Sequence, residues 1–253
     1  MNATVTPKLL ENRTLLITGA SEGIGREAAL TFARQGARLV LHGRNLQKLE
    51  RVRSEISQLG LQPAEIVLLD FATASAADCD AFANQVAALT PQLDAVLHNA
   101  SILGSICAMA DIPAEEWLQV MQVNVNTTFF LARALLPLLL KAPQATLLLT
   151  TSSVGRQGRA GWGSYAVSKF ATEGMMQVLA EEYRDQGLKV YAINPGGTRT
   201  GMRAAAFPEE NPQLLKTPAD LMPVYLELIS GNSALPSGSS IDAQPGRKAG
   251  PAS

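Results

Sequence analysis

Thr14-Leu15-Leu16-Ile17-Thr18-Gly19-Ala20-Ser21-Glu22-Gly23-Ile24-Gly25 is a short apolar run that breaks into a glycine-rich turn. Thr14–Ile17 has the length and makeup of a buried strand. Ile24, Ala28, Ala29, Phe32 and Ala33 then recur at helical spacing, and Gly36 closes the helix. A strand that feeds such a turn at a helix N-terminus offers free N–H groups and a partial positive charge to a pyrophosphate. The glycines permit the tight turn and the close approach. A glycine trio alone is a weak signal, because ordinary turns share its composition. Its position between strand and helix gives it weight.

Outward from this unit the pattern repeats. Arg38–Leu41, Ile66–Leu69, Leu93–Leu97, Thr146–Thr150, Lys189–Ile193 and Ser240–Ala243 read as further strands. Leu46, Leu49, Val52, Ile56 and Leu59 form an amphipathic stripe ended by Gly60. Further helices are expected near Ser75–Leu89, Pro113–Val123, Asn126–Leu140, Ser164–Asp185 and Ala219–Ser230. Alternating strands and helices imply parallel strands with crossovers, covered on both faces. Right-handed crossovers make this an α/β protein with a doubly wound parallel seven-stranded sheet of the Rossmann type, a three-layer sandwich. No repeat or linker divides the chain. Residues 1–253 read as a single dinucleotide-binding and catalytic domain, with loosely ordered ends at 1–11 and 246–253.

Bulk properties narrow the function. Hydrophobic residues make up 47% and charged residues 17%, enough for a large core. A net charge of -1 leaves no electrostatic footprint for nucleic acid or an anionic membrane. The longest apolar run, Ala134–Leu140, contains Pro137 and falls far short of the roughly 20 residues of a membrane span. The N-terminus does not read as a signal peptide. Cys79 and Cys107 are scattered thiols that fit a reducing compartment, so a cytoplasmic location is expected. His42 and His98 are the only histidines, so no metal site is expected.

The end of the second strand bears on the nucleotide. NAD-preferring folds place a carboxylate about 20 residues past the glycines, on the ribose hydroxyls. Here the chain reads Leu41-His42-Gly43-Arg44. A guanidinium can pair with the 2′-phosphate of NADP, where a carboxylate would be repelled. NADP(H) is therefore favoured over NAD(H), although Arg44 could equally be a surface residue opening a helix. Ser21 could donate to the same phosphate. Asp70-Phe71 ends the third strand, where the carboxylate could accept from an adenine amino group or merely shape a turn.

Tyr165 and Lys169 lie four residues apart, on one helix face. Such a pair is commonly just solvated. Ser152 and Ser153 end a strand shortly before that helix, however, and a glycine-rich loop intervenes. Gly19–Gly25, Asp70, His98–Ser101, Ser152 and Asn194–Gly197 all fall at the carboxyl ends of strands, where such sheets bind ligands. Free tyrosine has a pKa of about 10. A lysine ammonium and an oxidised nicotinamide would favour phenolate, and a drop of about three units needs about 4 kcal/mol. Tyr165 can then exchange a proton with a carbonyl or alcohol oxygen, while Ser152 stabilises the charge on that oxygen.

Together these residues resemble the short-chain dehydrogenase/reductase family, single-domain type. The glycine turn is Thr18–Gly25, the Asn-Asn-Ala-Gly element stands at His98-Asn99-Ala100-Ser101, and the helical Asn is Asn124. Ser152 lies thirteen residues before Tyr165, the Tyr/Lys pair is Tyr165 and Lys169, and Pro195-Gly196 matches the family's Pro-Gly. Met121–Asn126, Ser153–Arg159, Asn194–Thr200 and Asp242–Lys248 also resemble a narrower bacterial group, the YciK-like oxidoreductases. The resemblance implies an oxidoreductase acting on CH–OH donors with NAD(P)+ as acceptor. It implies Tyr165 as acid/base, Ser152 orienting the carbonyl, Lys169 also holding the nicotinamide ribose, and Asn124 positioning a relay water. It assigns the cofactor to Gly19, Ser21, Glu22, Gly23, Ile24, Gly25, Arg44, Asp70, Phe71, Asn99, Ala100, Tyr165, Lys169, Pro195, Gly196, Thr198 and Thr200. It also implies a homodimer or homotetramer built on the helices that carry Asn124 and Tyr165.

Departures and open points remain. His98 replaces the first Asn of its element and reads as a satisfied core histidine; Ser101 replaces the glycine. Glu22 sits where many NADP-preferring relatives carry a basic residue. Residues 200–216 are the expected substrate lid, with Met202, Arg203, Phe207, Pro208 and Leu214. Arg156, Arg159, Arg199 and Arg203 could attract an anionic substrate or form only a solvated rim. The partner expected is a small carbonyl or alcohol, with no nucleic acid and no membrane. The rival readings are a non-catalytic NADP-binding redox sensor and an oligomerisation scaffold.

Overall fold

The computed structural model describes residues 8–251. Seven strands enter one sheet: β1 (Thr14–Thr18), β2 (Arg38–Gly43), β3 (Glu65–Leu68), β4 (Ala95–His98), β5 (Ala145–Thr150), β6 (Leu188–Asn194) and β7 (Ser240–Asp242). All neighbouring pairs are parallel, in the order β3-β2-β1-β4-β5-β6-β7. The strand order therefore reverses between β1 and β4, and a crevice opens there at the carboxyl ends. This is the doubly wound parallel sheet that the alternation of strands and helices implies.

Strand periodicity explains the three layers. Leu15, Ile17, Leu39, Leu41, Leu97, Leu148, Tyr191 and Ile193 point to one face. Leu16, Val40, Val96, Leu147, Leu149, Val190 and Ala192 point to the other. Successive side chains alternate across a sheet, so a strand buried on both faces is apolar throughout. Helices α1 (Gly23–Arg34), α2 (Leu46–Gln58) and α8 (Met222–Ile229) cover the first face. Helices α3 (Ala76–Leu89), α5 (Thr127–Leu139) and α6 (Gly163–Glu182) cover the second. The helix α4 (Ala114–Met121) runs into a π turn, Gln122–Asn126, before α5.

Local chemistry sets several boundaries. Ser75 caps α3, and the Asp78 carboxylate accepts from the Ser75 backbone N–H in return, a capping box. Asn45 caps α2. Two stretches differ from the expectation of loose ends. Leu10 is fully buried, and its N–H donates to the Gln35 carbonyl. At the other end, Arg247–Gly250 fold back along the cleft and line it. Residues 1–7 and 252–253 of the expected loose ends lie outside the described residues. The Leu10 side chain joins the core on the first face, a single apolar residue too isolated to make a period, and the tail is held by polar contacts that no apolar pattern marks. One further helix, α7 (Gly201–Ala206), lies in the expected lid, where no apolar stripe announces it.

Candidate active site

The strand ends surround a cleft with a volume of 790 Å³. At one end lies the β1–α1 turn. Gly19 has φ +64°, and a Cβ there would stand 3.0 Å from Ala100 Cα. Gly19, Ser21, Glu22, Gly23 and Ile24 all line the cleft. Glu22 is the N-cap residue of α1, yet its side chain makes no capping bond, so the first N–H groups of the helix meet none from it. Gly25 corrects the expectation. It is buried and does not line the cleft; a Cβ there would lie 2.1 Å from the Gly19 carbonyl oxygen. Its part is to let the turn fold onto its own helix rather than to touch a ligand.

Asn99 ties this turn to β4. Its Nδ2 donates to the Thr18 and Gly19 carbonyls at 3.3 and 3.4 Å, and its N–H donates to Thr18 Oγ1 at 3.0 Å. Ala100 N–H donates to the same hydroxyl at 3.0 Å. Having accepted twice, Thr18 can direct its own proton to His98 Nδ1, 3.5 Å away. His98 Nε2–H then donates to Thr128 Oγ1 at 2.8 Å, and Thr128 donates to the Asn124 carbonyl at 2.8 Å. This chain fixes a neutral imidazole. Burial, with Lys169 and His42 adding to it, holds the His98 pKa down at about 3. His98 is thus the core histidine its surroundings in the sequence suggested.

Further along the rim, Arg44 and Asp70 are exposed and line the cleft. The Arg44 side chain has no hydrogen-bond or ion-pair partner among the described residues. Glu22, beside it in the cleft, is paired with Lys48 at 2.8 Å. Phe71 also borders the cleft, but its ring is buried between His42 and His98, with centroids 4.3 and 5.8 Å apart. Pro195, Gly196, Thr198 and Thr200 line the opposite side. Gln244, not singled out among the expected site residues, fastens that segment by donating to the Pro195 and Gly197 carbonyls at 2.8 and 3.1 Å.

The Tyr/Lys pair lies at the other end. Tyr165 is 7% exposed and borders the cleft, and its hydroxyl is hydrogen-bonded with the Ser152 side chain. Lys169 stands behind it, with Nζ 5.4 Å from the Tyr165 ring centroid and donating to the Thr150 carbonyl at 2.8 Å. Their pKa values depart from the sequence expectation. Burial pushes Tyr165 up to about 12, against the Ser152 hydrogen bond, and pushes Lys169 down to about 8. In the protein alone, desolvation is the largest influence on both groups and favours the neutral form of each.

Asn124 does not line the cleft. It is 2% exposed in the π turn, where Oδ1 accepts from Ile102 N–H at 2.9 Å. Its Nδ2 donates to the Ile102 carbonyl at 2.9 Å and to Ser168 Oγ at 3.0 Å. The side chain is fully engaged in clamping the segment after β4 to α6.

This arrangement can hold a dinucleotide along the strand ends and present a hydroxyl pair at its far end. The chain has matching relatives. Residues 13–211 match the model of the short chain dehydrogenase family. The chain belongs to the short-chain dehydrogenases. It is 58% identical to the oxidoreductase YciK of Escherichia coli K12, over 96% of each chain. A short chain dehydrogenase of Shigella flexneri, solved in complex with NADP, superimposes with a TM-score of 0.92 at 55% identity, covering 95% of this chain and 100% of that one. One from E. coli CFT073, in complex with NADPH, gives 0.92 at 56%, with coverage of 95% and 100%. As a short-chain dehydrogenase, the protein is an oxidoreductase of the alcohol–carbonyl type.

Several lining residues of this short-chain dehydrogenase carry no motif: Ile102, Leu103, Gln119, Trp162, Ala249 and Gly250. Of the expected lid, Thr200, Gly201, Met202, Arg203 and Ala206 reach the cleft; Phe207, Pro208 and Leu214 do not. Nothing in their sequence spacing could have separated the two sets, since the short helix α7 decides which side faces inward.

Proposed function

We propose that the protein moves hydride between NADP(H) and a carbonyl or secondary-alcohol substrate, with Tyr165 as the acid/base. The observation that carries this is the Tyr165 hydroxyl, joined to Ser152 and backed by Lys169 on the border of the cleft that also holds the glycine turn. When bound, the nicotinamide supplies or accepts the hydride. The protein's own groups do the rest. Ser152 and Tyr165 hydrogen-bond the substrate oxygen, and Tyr165 passes its proton to that oxygen as charge develops. Lys169, held by Thr150, supports the phenolate left behind. With its pKa near 12, Tyr165 keeps its proton at neutral pH, which suits carbonyl reduction. Asn124 acts as a positioning residue in this scheme.

The residues fit the nucleotide. The uncapped α1 N-terminus suits a pyrophosphate, and the unpartnered Arg44 suits a 2′-phosphate. Lys48 neutralises Glu22, a carboxylate that would otherwise oppose that phosphate. The NADP and NADPH complexes of the Shigella and E. coli relatives support NADP(H) binding. The exposed Phe129 on α5 and Phe170 and Val178 on α6 suit helix pairing in a homodimer or homotetramer, to be read by sedimentation. Cys79 and Cys107 are unpaired, as a cytoplasmic protein would have them.

Tyr165→Phe tests the reaction. Carbonyl-dependent NADPH oxidation should fall about 10²–10⁴-fold while NADPH binding, followed by its fluorescence, stays. Unchanged turnover in the variant refutes the acid/base role. A protein that binds NADPH but turns over nothing in either form is a redox sensor instead.

A further inference from the structure

Beside Tyr165 the cleft has a wall that the nucleotide segments do not account for. Leu103, Trp162 and Met202 pack with Val154, Tyr165 and Ala166 in a separate apolar cluster. Leu103, Val154, Trp162 and Met202 all border the cleft. The Trp162 ring lies 5.9 Å, centroid to centroid, from Tyr165 and again 5.9 Å from Phe207. Phe207 is braced from behind by the Arg203 guanidinium, 4.0 Å from its ring centroid. Arg203 is held in turn by both oxygens of Glu210, at 2.6 and 2.7 Å, and the Glu210 side chain is 1% exposed. A buried carboxylate thus anchors a line of side chains that ends on the catalytic tyrosine.

The guanidinium groups near this wall are already engaged, and only the Lys248 ammonium, out on the rim, has no partner among the described residues. Arg156 pairs with Asp242 and lies 3.7 Å from Glu173. Arg199 donates to the Pro212 and Leu215 carbonyls at 2.8 and 3.4 Å. Arg203 serves Glu210 and the Gly250 carbonyl, and Arg247 stands 3.9 Å from Glu210. Arg159 donates to Ser153 Oγ at 3.2 Å, and Lys248 is exposed on the rim. Taking a guanidinium from a buried carboxylate to serve a ligand would leave that carboxylate uncompensated. The Trp162 and Met202 side chains themselves offer a charged substituent no compensation for the water it would lose.

We infer that the substituent on the reacting carbonyl is apolar and uncharged, and that Trp162 is the specificity-determining residue it packs against. This rests on the carbonyl-reduction reading above and names its substrate class. It replaces the anionic alternative left open by the four arginines.

Two nearly isosteric aldehydes test it: 4-isopropylbenzaldehyde and 4-carboxybenzaldehyde, with the full-length enzyme and NADPH. The isopropyl compound should have kcat/KM at least about tenfold higher, expressed in KM. Trp162→Ala should remove that advantage by raising its KM about tenfold, while Trp162→Phe keeps most of it and neither alters NADPH binding. Equal or reversed preference, or a Trp162→Ala effect confined to kcat on both aldehydes, overturns the inference. If neither aldehyde is reduced, calorimetry on the NADPH-loaded Tyr165→Phe protein gives a separate reading. Isopropyl binding that Trp162→Ala abolishes upholds the inference while the reduction reading fails. No isopropyl binding, or tighter carboxylate binding, overturns it.

Discussion

At the residue scale, two ionisable groups share a dry corner and burial moves both toward neutrality. Lys169, lowered to about 8, is cationic below that pH and neutral above it. Tyr165, near 12, keeps its proton throughout the working range. The proposed carbonyl reduction would use both the Tyr165 proton and the Lys169 charge, so kcat/KM should hold below about pH 8 and decline above it. Lys169→Arg, which stays charged, should move that decline upward; a pH–rate profile of the two proteins checks this. A limb at the same pH in the arginine variant assigns the titration elsewhere.

At the element scale, helix α6 carries Tyr165 and Lys169, and its place is set by a contact of backbone on backbone. Gly155, in the 3-10 turn Ser153–Gly155, faces Lys169 so closely that a Cβ would lie 2.8 Å from the lysine carbonyl carbon. Gly155→Ala must push α6 away from the segment just after β5, which carries Ser152. Overpacking of this kind costs about 1–3 kcal/mol, a fall in Tm of about 2–12 °C for a chain of this size. Turnover should fall further than stability alone explains, because the Ser152–Tyr165 spacing changes. Thermal melts and kcat measured together separate the two effects. The π turn before α5 works similarly: it places Asn124 to grip both Ile102 and Ser168, joining the β4 end to α6.

At the scale of the whole molecule, one side of the cleft is built by the segments that follow the neighbouring strands β6 and β7. The tail after β7 returns over the Pro195–Thr198 turn through Gln244, and it meets α7 through Arg203, Glu210 and Arg247. Glu210→Ala would leave the Arg203 side chain, 14% exposed, without its carboxylate. Breaking a buried pair of this kind costs about 3–5 kcal/mol. The expected result is faster amide exchange in 201–206 and 244–250, with a higher KM for the carbonyl and little change at the glycine turn. Exchange unchanged in both segments would show that the clasp contributes nothing to closing the lid.

The linear order of residues was enough for the sheet, its parallel pairing, the glycine turn at the strand–helix junction and the placing of Ser152, Tyr165 and Lys169 close together. These depend on periodicity and on short-range spacing: Tyr165 and Lys169 share a face because four residues make about one helical turn. Contacts between distant segments were beyond it. That Gly25 serves the turn rather than a ligand, that Arg156, Arg199 and Arg203 are already engaged, that Trp162 and Met202 meet beside Tyr165, and that the 247–250 tail lines the cleft all follow from pairings across tens of residues. Side chains in such pairings have no common period. Burial, too, is a property of the folded whole, which is why the direction of the Tyr165 shift emerged only when its surroundings were in place.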